Sequence, residues 1–196
     1  VWSTMDGHTL RTTAAETGVL KMYLAHIFDE EKPDVVVTIA DRHETLATAI
    51  AASYQHIPLA HIQGGERTGS IDDKVRDAVS QLADLHFPAT EQAKRNLESA
   101  RVRGAVLNYG CPSVDLAANV VARKEDANTI VVLQHPVTGE PYSRAQTEET
   151  YRAVTQFRDY SILWFWPGQD AGSEDSAKRL RELDNCTQHP DLHFVR

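Results

Sequence analysis

Side chains that could do chemistry gather at four places in this sequence, each at or shortly after the end of a short apolar run. The first is Asp41-Arg42-His43-Glu44, which follows Val35–Ala40. Asp41 has two readings there: a cap for the next helix, or a carboxylate aimed into a ligand cleft. Arg42 is either a surface charge or a phosphate ligand, because its planar fork suits phosphate oxygens. The second place is the stretch His61–Asp73, with Gln63, Gly64, Gly65, Glu66, Arg67, Asp72 and Asp73. Its glycines permit close approach of backbone or ligand. Its length and polar density suit a binding loop, and a solvated connector is the plain alternative. The third is His135-Pro136-Val137-Thr138, where the imidazole is either structural or, at a strand end, functional. The fourth is Asp170-Ala171-Gly172-Ser173. There Asp170 or Ser173 caps the next helix, or that helix end holds an anion. Neither a Rossmann Gly-x-Gly-x-x-Gly fingerprint nor a Walker A loop is present.

The elements that must position these residues alternate. Candidate strands are Val35–Ala40, Pro58–Ile62, Leu85–Pro88, Ala105–Tyr109, Thr129–Gln134 and Ser161–Trp166. Three of them are nearly continuous apolar runs, which predicts burial on both faces. Trp164, Phe165 and Trp166 read as buried strand rather than as a sugar-stacking platform. Helical stretches fall near 14–31, 43–55, 72–83, 91–99, 113–123, 144–159 and 174–184. Thr90-Glu91 and Ser113 after Pro112 mark helix starts. Such alternation predicts βαβ units and a parallel sheet, with ligands at the carboxyl ends of the strands. The polar segment Val121–Asn128 separates four strand units from two and predicts a domain boundary.

Composition narrows the function classes. Hydrophobic residues make up 41% and charged residues 24%, ordinary for a soluble globular protein. A net charge of −8 opposes non-specific binding to nucleic acid, which needs a basic face. No apolar run approaches the roughly 20 residues of a membrane helix, so neither nucleic acid nor membrane is expected as a partner. Cys111 and Cys186 lie far apart without metal-type spacing, which predicts no metal site and fits a reducing cytoplasm. The chain starts on Val1 and ends on Arg196 straight after an apolar stretch, so both ends read as cut through a larger fold.

Taken together, five segments resemble a known family. They are Ala40-Asp41-Arg42-His43-Glu44-Thr45-Leu46-Ala47, His61–Asp73, Gly110-Cys111-Pro112-Ser113, Gln134-His135-Pro136-Val137-Thr138 and Asp170-Ala171-Gly172-Ser173. They stand in the order seen in UDP-N-acetylglucosamine 2-epimerases and are most similar to the hydrolysing branch, which feeds sialic and related nonulosonic acid synthesis. Each motif is weak alone, and five in register are specific. The resemblance implies an α/β fold of GT-B type, with Rossmann-like parallel sheet layers in two domains and an active site in the cleft between them. That architecture needs roughly 300–400 residues. Residues 1–122 are then expected to be the second part of the N-terminal domain, and 123–196 the beginning of the C-terminal domain. Further implications are a cytoplasmic homodimer, a nucleotide-sugar substrate and no cofactor.

The chemistry that the resemblance implies is elimination followed by hydration. A base takes the C2 proton while the bond to UDP breaks, and water then adds to the resulting 2-acetamidoglucal with inversion at C2. Asp41 and Asp72 match two catalytic acids of the family, His135 a histidine near the leaving diphosphate, and Arg42 a residue near the nucleotide. Gly64, Gly65, Asp170 and Ser173 are expected at the substrate. A third family acid often lies at the position of Gln63, and an amide cannot transfer a proton. Glu66 is the candidate replacement, or the glutamine serves only to hydrogen-bond. Asp77 stands where the family commonly has histidine, and Gly168 where it often has asparagine. Two other functions stay open: a non-hydrolysing epimerase, which His-Pro-Val-Thr and Asp-Ala-Gly-Ser argue against, and a non-catalytic nucleotide-sugar-binding module, which Gln63 favours.

Overall fold

The computed structural model describes residues 9–120, 128–137, 140–168, 170–187 and 189–195. Thr138 and the connector residues 121–127, where the domain boundary was expected, lie outside the described residues. The described residues form two compact units, 11–120 and 128–195.

The first unit runs α1 (Leu10–Glu31), β1 (Val36–Ile39), α2 (His43–Tyr54), β2 (Leu59–Ile62), α3 (Ile71–Leu82), β3 (Leu85–Phe87), α4 (Glu91–Ser99), β4 (Ala105–Val106) and α5 (Pro112–Ala118). Its four strands pair in parallel in the order β1-β2-β3-β4. Parallel neighbours need a crossover, and each helix between strands supplies one. The core joins Phe28 of α1, Val36 of β1, Ala49 and Ala52 of α2, Leu59 of β2 and Val79 of α3. The run of buried alanines on α2 lets that helix lie close to the sheet.

The second unit runs β5 (Thr129–Leu133), α6 (Ser143–Val154), β6 (Ser161–Phe165), α7 (Ser173–Cys186) and β7 (Leu192–Val195). Its parallel sheet has the order β5-β6-β7. Trp164, Ile162, Leu180 and Leu183 are fully buried at its centre. Trp164 bears out the buried-strand reading, whereas Phe165 alternates to the open face.

Several expectations change in detail. Burial on both faces does not hold for β1, where Val36 and Thr38 are buried but Val37 and Ile39 are 58% and 53% exposed. In β5, Val131 and Leu133 are open in the same way. Strand β4 is only two residues long, and just past it the Leu107 N–H donates to the His86 carbonyl at 2.8 Å. The start of α5 is capped at Cys111 with Pro112 in the first turn, not at Ser113, since proline lacks only an N–H that the first turn leaves unpaired anyway. Thr90 caps α4 as expected, its hydroxyl accepting from Ala93 N–H. Strand β7 is the apolar stretch before the chain end, which the alternation did not include.

Candidate functional site

Each of the four residue groups follows the carboxyl end of a parallel strand: Asp41 follows β1, Gln63–Asp73 β2, His135 β5 and Asp170 β6. At the end of β1, Ala40 adopts a left-handed conformation (φ 61°), and Asp41 and Arg42 follow. The capping reading of Asp41 fails. Arg42 occupies the cap position of α2 without a side-chain cap bond, and Asp41 instead accepts a hydrogen bond and ion pair from Arg76 of α3. Arg42 forms a bidentate pair with Glu44, at 3.1 Å from Nε and 3.0 Å from Nη2. Burial works to raise the Glu44 pKa, but the Arg42 hydrogen bond and its neighbours prevail and hold the carboxyl below its ordinary value. His43 lies 3.4 Å from Glu16 and 3.1 Å from Glu44.

Helix α3 gathers the acids of the loop. Ser70 caps it, accepting from Asp72 N–H, and the Ser70 hydroxyl donates to Asp72 Oδ2 at 2.7 Å. Asp73 accepts from Thr68 N–H (2.8 Å), Gly69 N–H (2.9 Å) and the Thr68 hydroxyl (3.0 Å). Those donors, the backbone N–H groups of Thr68 and Gly69 first, hold the Asp73 carboxyl below its ordinary range. Arg76 closes the arrangement. Its side chain is 3% exposed, and it donates to Asp41, to Asp73 at 2.8 Å and to the Glu66 carbonyl at 2.7 Å. Burial pulls the Arg76 pKa down, against the attraction of Asp77. Sequence reasoning passed over Arg76. The usable signal was its spacing: it stands four residues after Asp72 and three after Asp73, on one helix face.

Gln63 also lies in the left-handed region (φ 62°), and its amide nitrogen donates to Cys111 Sγ at 3.4 Å. Bonds from Ser113, and then from Gln63, hold the Cys111 thiol below its ordinary pKa. Gly64 and Gly65 were expected at the substrate, but both are buried and their missing side chains make room for protein. A Cβ on Gly64 would stand 2.9 Å from Ser80 Oγ and 3.0 Å from His61 Nδ1. Gly65 has φ 84°, and its Cβ would lie 2.3 Å from the Ala93 carbonyl. Glu66 has other surroundings than Gln63. It lines an open hollow of about 510 Å³ with Arg67, Thr90, Gln92 and Asn96. Arg67 pairs with Asp77 at 2.6 Å, which gives the aspartate at that position a partner of its own.

In the second unit the His135 ring is held by Gly168, whose N–H donates to Nδ1 at 3.0 Å. A neutral imidazole that accepts at Nδ1 carries its proton on Nε2. Asp170 Oδ2 lies 3.9 Å from the same Nδ1. A Cβ on Gly168 would come within 3.1 Å of the ring, so glycine at this position has a packing reason. Neither Asp170 nor Ser173 occupies the cap of α7. Gly172 does so with φ 98°, a conformation that disfavours side chains with a Cβ. The Ser173 hydroxyl is buried and makes no hydrogen bond among the described residues. The first turn of α7 carries Glu174 and Asp175, whose charges oppose an anion at that helix end.

Parallel sheets, helical crossovers and an acid–arginine cluster at the strand ends define an α/β protein with a Rossmann-like site. Comparison with known proteins gives the family. The profile described as UDP-N-acetylglucosamine 2-epimerase matches residues 3–196, and the chain belongs to this family. It is 30% identical over 183 residues to the UDP-N,N'-diacetylbacillosamine 2-epimerase (hydrolyzing) of Legionella pneumophila, covering 87% of this chain and 48% of that protein. It is 28% identical over 185 residues to the UDP-N-acetylglucosamine 2-epimerase of Neisseria meningitidis, covering 88% and 49%. The crystal structure of the Neisseria meningitidis UDP-GlcNAc 2-epimerase bound to UDP-GlcNAc superposes with a TM-score of 0.73 at 18% identity, over 98% of this chain and 56% of that one. The likeness supports the GT-B type α/β fold. The chain spans about half the length of the curated relatives it matches.

Proposed function

We propose that the protein containing this chain is a hydrolysing 2-epimerase of a UDP-linked 2-acetamido sugar. Removal of the C2 proton and cleavage of the C1–O bond release UDP and a 2-acetamidoglucal. Water then adds across that double bond, its hydroxyl to C1 and a proton to the opposite face of C2. Asp41 and Asp72 are the residues assigned to proton transfer. The observation that carries this reading is the buried Arg76, which ties Asp41 to the acidic start of α3 at the carboxyl ends of β1 and β2. A carboxylate held this way keeps one orientation, which proton transfer requires. In the second unit, His135 carries an exposed Nε2–H, a donor suited to the leaving diphosphate. Arg42 is assigned to the nucleotide because its planar fork, here paired bidentately with Glu44, suits phosphate oxygens. The hydrolysing assignment draws on the His-Pro-Val-Thr and Asp-Ala-Gly-Ser segments and on the name of the Legionella relative.

The test is turnover of UDP-N-acetylglucosamine, and of its analogue with a second acetamido group, by the full-length protein in D2O and in H2 18O. Free UDP, deuterium at C2 and 18O at C1 of the released sugar are expected. Deuterated product still joined to UDP would show the non-hydrolysing reaction instead. Binding without any turnover of either sugar would leave a binding module.

A further inference from the structure

We propose that His61, acting with Ser80, is a positioning residue for Asp41. The inference rests on the assignment of Asp41 to proton transfer. His61 sits in β2 without solvent exposure, and both of its nitrogens have partners. Nε2 lies 2.8 Å from the Ala40 carbonyl. A carbonyl only accepts, so Nε2 carries the proton. Nδ1 of the neutral ring then accepts, and the hydroxyl of Ser80, 3.0 Å away and itself buried, donates to it. Burial lowers the His61 pKa and neighbouring His86 acts in the same direction, against the bond to Ala40, which fits a neutral ring.

The receiving carbonyl is an unusual one. Ala40 holds φ 61°, a conformation that a residue with a Cβ leaves unless its surroundings hold it. Its N–H is tied to the Ile62 carbonyl at 2.9 Å, and its C=O is tied to His61. The peptide between Ala40 and Asp41 is therefore pinned at the oxygen, and the pin sets where the Asp41 Cα begins. Ser80 stands one turn after Arg76 on α3. One helix thus fixes Asp41 twice: Arg76 grips its carboxylate, and Ser80 orients the imidazole that holds the preceding carbonyl. Gly64 completes the device, because a side chain there would push into both Ser80 Oγ and His61 Nδ1.

The test compares His61→Leu, His61→Gln, Ser80→Ala, Asp41→Asn and the double variant Asp41→Asn/His61→Leu in the full-length enzyme, reading kcat, KM and Tm for each. Small displacements of a catalytic group cost up to about 100-fold in rate. Folded His61→Leu is expected to lose about 10- to 100-fold in kcat with KM within about twofold. His61→Gln, which keeps an amide donor toward Ala40, should restore most of that rate even where Tm stays low. Ser80→Ala should lower kcat severalfold. With Asp41 already replaced, His61→Leu should remove nothing further from the residual rate. If His61→Leu does not fold, His61→Gln and Ser80→Ala decide: wild-type kcat in both would overturn the proposal, and so would a rate loss in the double variant that adds in full to that of Asp41→Asn. Full turnover in Asp41→Asn would instead overturn the assignment of Asp41, a separate failure.

Discussion

Replacing Arg76 by methionine gives the sharpest test of the acid cluster. The guanidinium is 3% exposed and donates to two carboxylates and one carbonyl. Methionine fills the path of the stem but supplies none of those donors. Asp41 then keeps its charge in a partly buried setting with its cationic partner gone, while Asp73 keeps its Thr68 and Gly69 donors. Breaking a buried ion pair on one side typically costs about 3–5 kcal/mol. Against a whole-domain stability of about 5–15 kcal/mol, such a loss is large. With a urea slope of about 1–3 kcal/mol per molar, the unfolding midpoint should fall by about 1–5 M. Arg76→Lys should fall between methionine and wild type, since an ammonium keeps the charge but not the planar fork that reaches Asp41, Asp73 and the Glu66 carbonyl together. The double variant Arg76→Met/Asp41→Asn should lose less than the sum of the singles, with a coupling of about 0.5–3 kcal/mol. Urea denaturation followed by circular dichroism measures all of these. A loss under about 1 kcal/mol for Arg76→Met, or strict additivity with Asp41→Asn, would refute the view that this arginine organises the site.

Three further outcomes are expected. Gly168→Ala should displace the His135 ring, because a Cβ there meets it at 3.1 Å, and side-chain nitrogen NMR should show the Nε2–H form of wild type giving way to a mixed tautomer; an unchanged spectrum counts against the packing role. In the full-length enzyme, Glu66→Gln should cut kcat by about 100-fold or more while Gln63→Glu preserves or raises it, general acid–base help being worth about 10²–10⁴; a normal rate and pH profile in Glu66→Gln would assign Glu66 to loop solvation. Asp73 has a folded-state pKa below its ordinary value, so its stabilisation is full above the ordinary carboxylate pKa of about 3.9 and is lost as pH falls through the depressed one. The melting-temperature gap between wild type and Asp73→Asn should therefore be steady near neutral pH and close in acid, and a gap that widens in acid would reverse the sign of this argument.

Much of the architecture was legible in local pattern. β-branched runs and helical stretches alternate because each strand must be followed by a crossover before the next can pair in parallel, and the first six strands all form where those runs lie. The positions of Asp41, His135 and Asp170 after strands β1, β5 and β6 followed from the same alternation. Strand β7 escaped because its four residues, Leu192–Val195, are too short a run to read by pattern alone. One face of β1 is open in this chain, which spans about half the length of its relatives, and an apolar run reports only that side chains can be buried, not which layer covers them.

The sequence by itself determined the family, the α/β class and the loops that carry the candidate chemistry, because those depend on residue types and on spacing along the chain. Only the tertiary structure decided which side chains meet. Asp41 and Arg76 are 35 residues apart and join because β1 and α3 come together in one unit. His61 could have been any core histidine until Ala40 and Ser80 were found on its two nitrogens. What a side chain at Gly64 or Gly65 would meet, Ser80 and His61 for one and the Ala93 carbonyl for the other, appears only in the fold. The physical reason is the same in each case. A side chain's type sets what it can bond, but its partner is chosen by the close packing of elements distant in sequence.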